Sequence, residues 1–277
     1  MYTSIKSKPE VHIFSSVLFQ TNTTLLVFPT QLLLVDPNYT PQELADIAAF
    51  IQQNFPDKKI NLFFTHSDYD HVVGYGIFQN AAHGIMSAPM AALPSERKKD
   101  ILQEIKITDA TWYIERSPET LIFPPKDIVI EKDGQLWEID GYQVRFYFAP
   151  GHTADGLVCF VNDICICGDY LCDTEFPFIY HSFEAYRNTL QKLSQLFKQY
   201  DTRILLSGHG KVAAKSAEIE HRLLLANQYL EDIEKEVISG IPLDENYLQK
   251  QYPFWWGIKK FHHENLALLR KEKSGGS

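Results

Sequence analysis

Thr65-His66-Ser67-Asp68-Tyr69-Asp70-His71-Val72-Val73-Gly74 is the stretch from which the fold can be read. It follows directly on the apolar run Ile60 to Phe64, so His66, Asp68, Asp70 and His71 stand where a buried strand ends and its exit loop begins. Open α/β sheets gather their ligands at that place. Neutral imidazole nitrogen and carboxylate oxygen are donors that a divalent first-row metal such as Zn²⁺ or Fe²⁺ accepts, and alternating ligands on a tight loop can converge on one or two ions. The plainer alternative is a polar loop with a histidine used as a cap, and the rest of the chain has to decide between them.

Working outward, the segment before this motif has a counterpart later in the chain. Thr24-Leu25-Leu26-Val27-Phe28, a turn and Leu32-Leu33-Leu34-Val35-Asp36 match Leu157-Val158-Cys159-Phe160-Val161, a turn and Ile164-Cys165-Ile166-Cys167-Gly168-Asp169. Each is an apolar hairpin whose second strand runs into an aspartate. Each leads into a helical pattern, Pro41 to Phe55 and Phe183 to Gln199, then into an apolar strand that runs into a histidine, His66 or His209. One unit used twice, with buried central strands and amphipathic helices, implies two sheets face to face, helices flanking them and ligands at one shared edge. Before the first repeat, Val11 to Phe19 reads as strand. Met90 to Ile107 is helical with a break at Pro94. Ile128 to Ile130, Gln135 to Glu138 and Gln143 to Ala149 read as a hairpin-like series around Asp133-Gly134 and Asp140-Gly141. Beyond His209 the pattern is helical, with Ala214 to Ile238 ended by Ser239-Gly240 and Pro242. Trp255, Trp256 and Phe261 are expected to fold back onto the domain and border the pocket, and Gly275-Gly276-Ser277 reads as a tail outside it.

Composition narrows the function. The chain has 277 residues, 45% hydrophobic and 22% charged, enough to bury a sizeable core. A net charge of −9 argues against an extended nucleic-acid surface, which needs a basic face. Met1 to Glu10 is polar and no apolar run reaches the ~18 residues of a membrane span, so neither signal peptide nor membrane helix is expected and the location is taken as cytoplasmic. Cys159, Cys165, Cys167 and Cys172 lack both disulfide-framework and paired zinc spacing, and read as small buried hydrophobes. His12, His83 and His221 stand alone and read as core or surface histidines.

Taken in order, His66-Ser67-Asp68-Tyr69-Asp70-His71, Pro150-Gly151-His152-Thr153, Gly168-Asp169 and Ser207-Gly208-His209-Gly210 resemble the signature of the metallo-β-lactamase superfamily. The resemblance covers about Val17 to Gly210 and implies an α/β fold, a four-layer αββα sandwich of two face-to-face mixed β-sheets flanked by helices. Residues 1–212 would form that domain and residues 213–277 a helical C-terminal segment packed on it. It further implies two divalent metal ions per chain, one held by His66, the residue at 68 and His152, the other by Asp70, His71 and His209, with Asp169 bridging them. Leu34-Val35-Asp36 matches the family's early aspartate, a structural residue beside the site. A water between the metals would be the nucleophile, with Asp70 orienting it.

The chain departs from the pattern at Asp68, where the family usually has histidine. A third carboxylate then faces the two ions, lowering the site's positive charge, and a harder oxygen donor favours iron or manganese over zinc. A carboxylate at that position resembles the flavodiiron oxidoreductases, although no flavodoxin-like segment follows His209. The favoured function is a metal-dependent hydrolase of an ester, thioester or lactone, with a small-molecule substrate, no nucleic acid, no membrane and the oligomeric state open. The alternatives are an iron-dependent oxidoreductase, persulfide dioxygenase-like or diiron, and a non-catalytic binding protein that kept the fold. Tyr170 and Tyr180 follow the bridging aspartate and are candidate substrate contacts. Lys259 and Lys260 read as a solvated helix face.

Overall fold

A computed structural model describes residues 1–37 and 39–275, so Gly276 and Ser277 of the tail lie outside the described residues. The strands form two mixed sheets. A seven-stranded sheet has the order β1 (Tyr2–Ile5), β2 (Glu10–Ser15), β3 (Asn22–Val27), β4 (Gln31–Val35), β5 (Lys59–Phe63), β6 (His83–Ser87), β7 (Ile128–Ile130). A five-stranded sheet runs β12 (Ile204–Ser207), β11 (Ile164–Gly168), β10 (Leu157–Val161), β9 (Tyr142–Phe148), β8 (Gln135–Ile139). Helices α1 (Pro41–Asn54), α2 (Tyr69–Val72), α3 (Ala88–Ala91), α4 (Ser95–Thr111) and α5 (Phe183–Gln199) are followed by α6 (Ser216–Ser239), α7 (Glu245–Gln251) and α8 (Trp255–Gly275) at the C-terminal end. Two mixed sheets with flanking helices are the architecture the repeat implied.

The chain divides into two compact units, the first comprising Met1–Phe148 and Leu157–Val161, the second Ala149–Gly156 and the chain from Asn162 onward. In the first, β3 pairs antiparallel with β4 and β4 parallel with β5, with Leu34 opposite Leu62. The parallel step needs a crossover, and α1 supplies it. Thr40 caps that helix in a reciprocal box with Glu43, and Pro41 opens its first turn. Its apolar stripe, Leu44, Ile47 and Ile51, is buried in one cluster with Leu25, Leu32, Leu34 and Leu62. At about 1.5–3 kcal/mol for each fully buried aliphatic side chain, this face holds the helix on the sheet. On the sheet's other side the Phe63 and Phe146 rings meet at 5.2 Å, as do Phe28 and Tyr142.

Three local expectations change. The apolar run Val17 to Phe19 does not continue β2. Phe19 and Gln20 take φ of 56° and 52°, and Val17 is 82% exposed, so the run forms the turn between β2 and β3. Ile128 to Ile130 is no partner of β8. It pairs parallel with β6, Ile130 fully buried, and carries the first sheet one strand further. The hairpin at Asp140-Gly141 does form, both residues at positive φ. Finally, the polar start of the chain adds β1 as an antiparallel edge strand on β2.

In the second unit the same plan recurs. β11 and β12 are parallel, and α5 crosses between them with Ser182 as N-cap and Leu190, Leu193 and Leu196 buried. α6 ends where Gly240 adopts φ 72°, the left-handed C-cap glycine provides. Trp255 on α8 is 2% exposed and packs near Phe176, and the Phe261 ring lies tilted against Phe178 at 4.3 Å. Trp256 differs from expectation: it is 77% exposed, one position round the helix from its buried neighbour. Lys259 is not simply solvated, being bonded to Glu245. Cys159, Cys165 and Cys167 are buried, as expected of small hydrophobes, Cys172 is half-buried, and none of the four is in a disulfide among the described residues.

Candidate metal centre

In the first unit, His66, Asp68, Asp70 and His71 are placed where β5 leaves the sheet. After Phe63 the chain turns through Thr65 and His66 into α2, whose N-cap is Asp68. The Asp68 side chain makes no capping bond and faces the histidine before it, with Oδ2 3.7 Å from His66 Nε2. On the one turn of α2, Asp70 and His71 follow, with Asp70 Oδ2 3.7 Å from His71 Nε2 and accepting from Thr21 Oγ1 at 3.3 Å. The His66 and His71 rings lie 4.1 Å apart, centroid to centroid. His66 is 2% exposed and His71 wholly buried.

Asp36 orders both rings. It ends β4 at φ 46°, a left-handed conformation that aspartate tolerates better than most side chains. Its Oδ1 accepts from the Thr65 backbone N–H at 2.9 Å and its Oδ2 from the Thr65 hydroxyl at 2.6 Å. Oδ2 also lies 2.9 Å from His71 Nδ1. A carboxylate only accepts, so Nδ1 of His71 carries the proton and Nε2 keeps the lone pair. The Thr65 hydroxyl has given its proton to Asp36, so it accepts from His66 Nδ1 at 2.9 Å, and His66 is left with the same tautomer. Thr65 completes a relay that was not singled out from the sequence, although its place directly before the motif was a usable signal.

His152, Asp169 and His209 lie in the second unit. His152 Nδ1 lies 2.8 Å from the Phe178 carbonyl, which can only accept, so Nε2 again holds the lone pair and sits 3.3 Å from Asp169 Oδ2. His209 Nε2 lies 3.3 Å from the same oxygen, with its Nδ1 3.9 Å from Glu175. The His152 loop is pressed against α5: Gly151 has φ 136°, and a Cβ there would come 2.3 Å from the Tyr186 Cα. Only glycine fits both the conformation and the space.

Tyr170 and Tyr180 occupy different surroundings. The Tyr170 hydroxyl is buried, lies 3.1 and 3.0 Å from the Ala149 and Pro150 carbonyls and accepts from the His152 N–H at 3.2 Å. Burial pushes its phenol well above the ordinary value, so it holds its proton. Tyr180 is 45% exposed, with its ring 5.0 Å from that of His152 and 6.1 Å from Phe261. Of the isolated histidines, His12 is buried against Tyr2 and Phe50, His83 is exposed, and His221 is exposed on the wall of a cavity in the second unit.

Among the described residues, every group of three or more His, Cys, Asp or Glu able to hold an ion is drawn from His66, Asp68, Asp70, His71, His152, Asp169 and His209. The donor chemistry fits: imidazoles of His66, His71 and His152 whose Nδ1 is tied to an oxygen, leaving Nε2 to ligate, and carboxylates beside them. No helix among the described residues is long and apolar enough to cross a membrane.

The family model for the metallo-beta-lactamase superfamily matches residues 17–209. Among curated proteins there is no match. A metallo-beta-lactamase from Pontibacter korlensis is similar over 82% of this chain and 99% of its own, at 16% identity and a TM-score of 0.59. A stereoselective inverting sec-alkylsulfatase from a Pseudomonas species is similar over 86% of this chain and 43% of its own, at 13% identity and a TM-score of 0.65. A flavoprotein from Thermotoga maritima is similar over 86% and 68%, at 15% identity and a TM-score of 0.55. At such identities the likeness is one of fold, and the fold carries more than one chemistry.

Proposed function

The chain belongs to the metallo-β-lactamase superfamily, and within it we propose a metal-dependent hydrolase acting on a small ester, thioester or lactone. His66, Asp68 and His152 would hold one divalent ion and Asp70, His71 and His209 a second, with Asp169 available to both. The observation that carries this is the tautomer of His66, His71 and His152, each with Nδ1 anchored on an oxygen acceptor and Nε2 left for a metal. When bound, the ions supply an activated water and polarise the carbonyl oxygen of the substrate. Asp70, held by Thr21, would orient that water and could accept its proton. Tyr180 offers a half-exposed ring to the substrate beside His152, and Tyr170 holds the His152 loop from below. Free cysteines, three of them buried, accord with a cytoplasmic setting, where thiols stay reduced.

A second function, iron-dependent oxidation of a small thiol or persulfide, is supported by Asp68, whose carboxylate faces His66 where a histidine would favour zinc. Metal analysis of protein purified without added metal, paired with turnover of lactones, thioesters, phosphodiesters and persulfides, separates the two. Zinc or manganese with ester or lactone turnover supports the hydrolase. Iron with persulfide oxidation replaces it by the second function. Substituting His209→Ala lowers metal stoichiometry and turnover together, and a variant with full metal content removes His209 from the ligand set.

A further inference from the structure

Within the second unit, the loop after β11, Tyr186 of α5, α6 and Tyr252 enclose a cavity of about 240 Å³. Three aromatic rings stand on its walls: Phe176, Tyr186 and Tyr252, exposed by only 1%, 1% and 5%. Phe176 and Tyr252 meet at 5.5 Å with their planes at 77°, so they form adjoining walls of different orientation. Among the described residues, neither tyrosine side chain has a hydrogen-bond partner, and both border this space.

The fixed charge on the wall is negative. Apart from Asp169, three carboxylates, Asp173, Glu175 and Glu218, face one guanidinium, Arg222. Arg222 is turned inward: its Nε donates to Glu218 at 2.9 Å, its Nη1 to the carbonyls of Leu171 and Lys211, and its Nη2 is 4.0 Å from Asp173. Its donors are thus engaged within the fold, and an anion entering the cavity would meet excess carboxylate. An uncharged apolar molecule would strip water from those carboxylates with nothing in return. A cation carrying alkyl groups meets both demands, since aromatic faces attract it and carboxylates balance it. The volume lies below the ~300–1,000 Å³ of drug-sized sites, which restricts the ligand to a few heavy atoms.

We propose that this cavity is a binding site for a small alkylammonium group, either a free amine compound or the amine-bearing arm of a substrate. The test is calorimetric titration of the full, metal-loaded chain with choline chloride and with 3,3-dimethylbutan-1-ol, its uncharged isostere. Choline binds and the alcohol binds at least tenfold more weakly. Tyr252→Leu, which removes one ring, weakens choline by about 3- to 30-fold, the span of a desolvated cation–π contact, whereas Tyr252→Phe keeps the affinity to within a few-fold. Should the leucine variant fail to fold, the isostere pair and the phenylalanine variant still decide. Equal affinity for choline and the alcohol, no heat from millimolar choline, or an unchanged affinity in a folded Tyr252→Leu overturns the assignment. Preferred hydrolysis of acetylcholine over 3,3-dimethylbutyl acetate places the ammonium on the substrate; equal hydrolysis with choline still bound places it on a separate molecule. Binding is measured without turnover, so this site and the hydrolytic function fail or survive separately.

Discussion

Replacing Asp36 with asparagine changes one oxygen for an NH₂ and should weaken metal binding at two histidines, His71 directly and His66 through Thr65. Asparagine tolerates the left-handed φ of 46° and can still accept from the Thr65 N–H through its remaining oxygen. Its new N–H groups then point at the Thr65 hydroxyl and at His71 Nδ1, where the carboxylate now receives both. The hydroxyl must turn its proton toward His66, so His66 Nδ1 becomes an acceptor and its proton moves to Nε2; His71 inverts in the same way. To ligate a metal, each ring must give up its anchored tautomer, sacrificing one hydrogen bond of about 1–1.5 kcal/mol. Two such losses total about 2–3 kcal/mol, a weakening of about 30- to 150-fold at one decade per 1.36 kcal/mol, consistent with what second-sphere changes do elsewhere. Competition against a graded series of chelators measures it, with urea unfolding of the metal-free protein as the control for stability. An Asp36→Asn protein that unfolds normally and keeps the parent's metal affinity would refute the relay.

Three further outcomes are expected. Asp68→His should shift metal preference toward zinc and carry the pH-rate profile to lower pH, because one carboxylate fewer leaves the site more positive; identical metal content and superimposable profiles place Asp68 outside the ligand set. Gly151→Ala forces a Cβ to within 2.3 Å of the Tyr186 backbone at φ 136° and should cost about 3–5 kcal/mol, seen as a large drop in thermal midpoint. Glu234 on α6 bonds Lys273 on α8 and Arg187 on α5, and these contacts hold its carboxyl below the usual range. A depressed folded-state value adds stability above the unfolded value and loses it as pH falls through the folded one. Glu234→Gln should therefore be less stable than the parent at neutral pH, with the gap closing in the acid range; a gap that persists into acid in urea melts would rule the ion pairs out as its cause.

Much of this was legible in the chain itself, for physical reasons that differ by residue. The two hairpin-to-helix-to-strand repeats could be read because their central strands are buried on both sides and so carry uninterrupted apolar runs such as Leu32 to Val35 and Ile164 to Cys167. The run Val17 to Phe19 misled for the same reason: apolar content alone does not distinguish a strand from a turn whose backbone happens to take positive φ at Phe19 and Gln20. Ile128 to Ile130 was visible as a strand, but its partner was not, since parallel neighbours are chosen by the crossover and not by the nearest turn dipeptide. Thr65 lay in plain view within the motif, yet its role depends on Asp36 arriving from a strand 29 residues away. The carbonyl of Phe178 that orients His152 leaves no trace in residue type, because any residue would supply it.

That carbonyl also sets a schedule. The backbone at residues 177–179 is gripped from two directions: Asn265 on α8 donates to the Pro177 carbonyl and accepts from the Ile179 N–H, while His152 takes the carbonyl between them. During synthesis His152 leaves the ribosome more than a hundred residues before Asn265 does. Until α8 emerges, that loop leans on the Tyr180 and His181 N–H bonds to the His152 segment and on the Phe176 ring against Tyr229 of α6. The last two hydrogen bonds on the loop that aims His152 therefore form only after α8 has been made, late in the biogenesis of the chain.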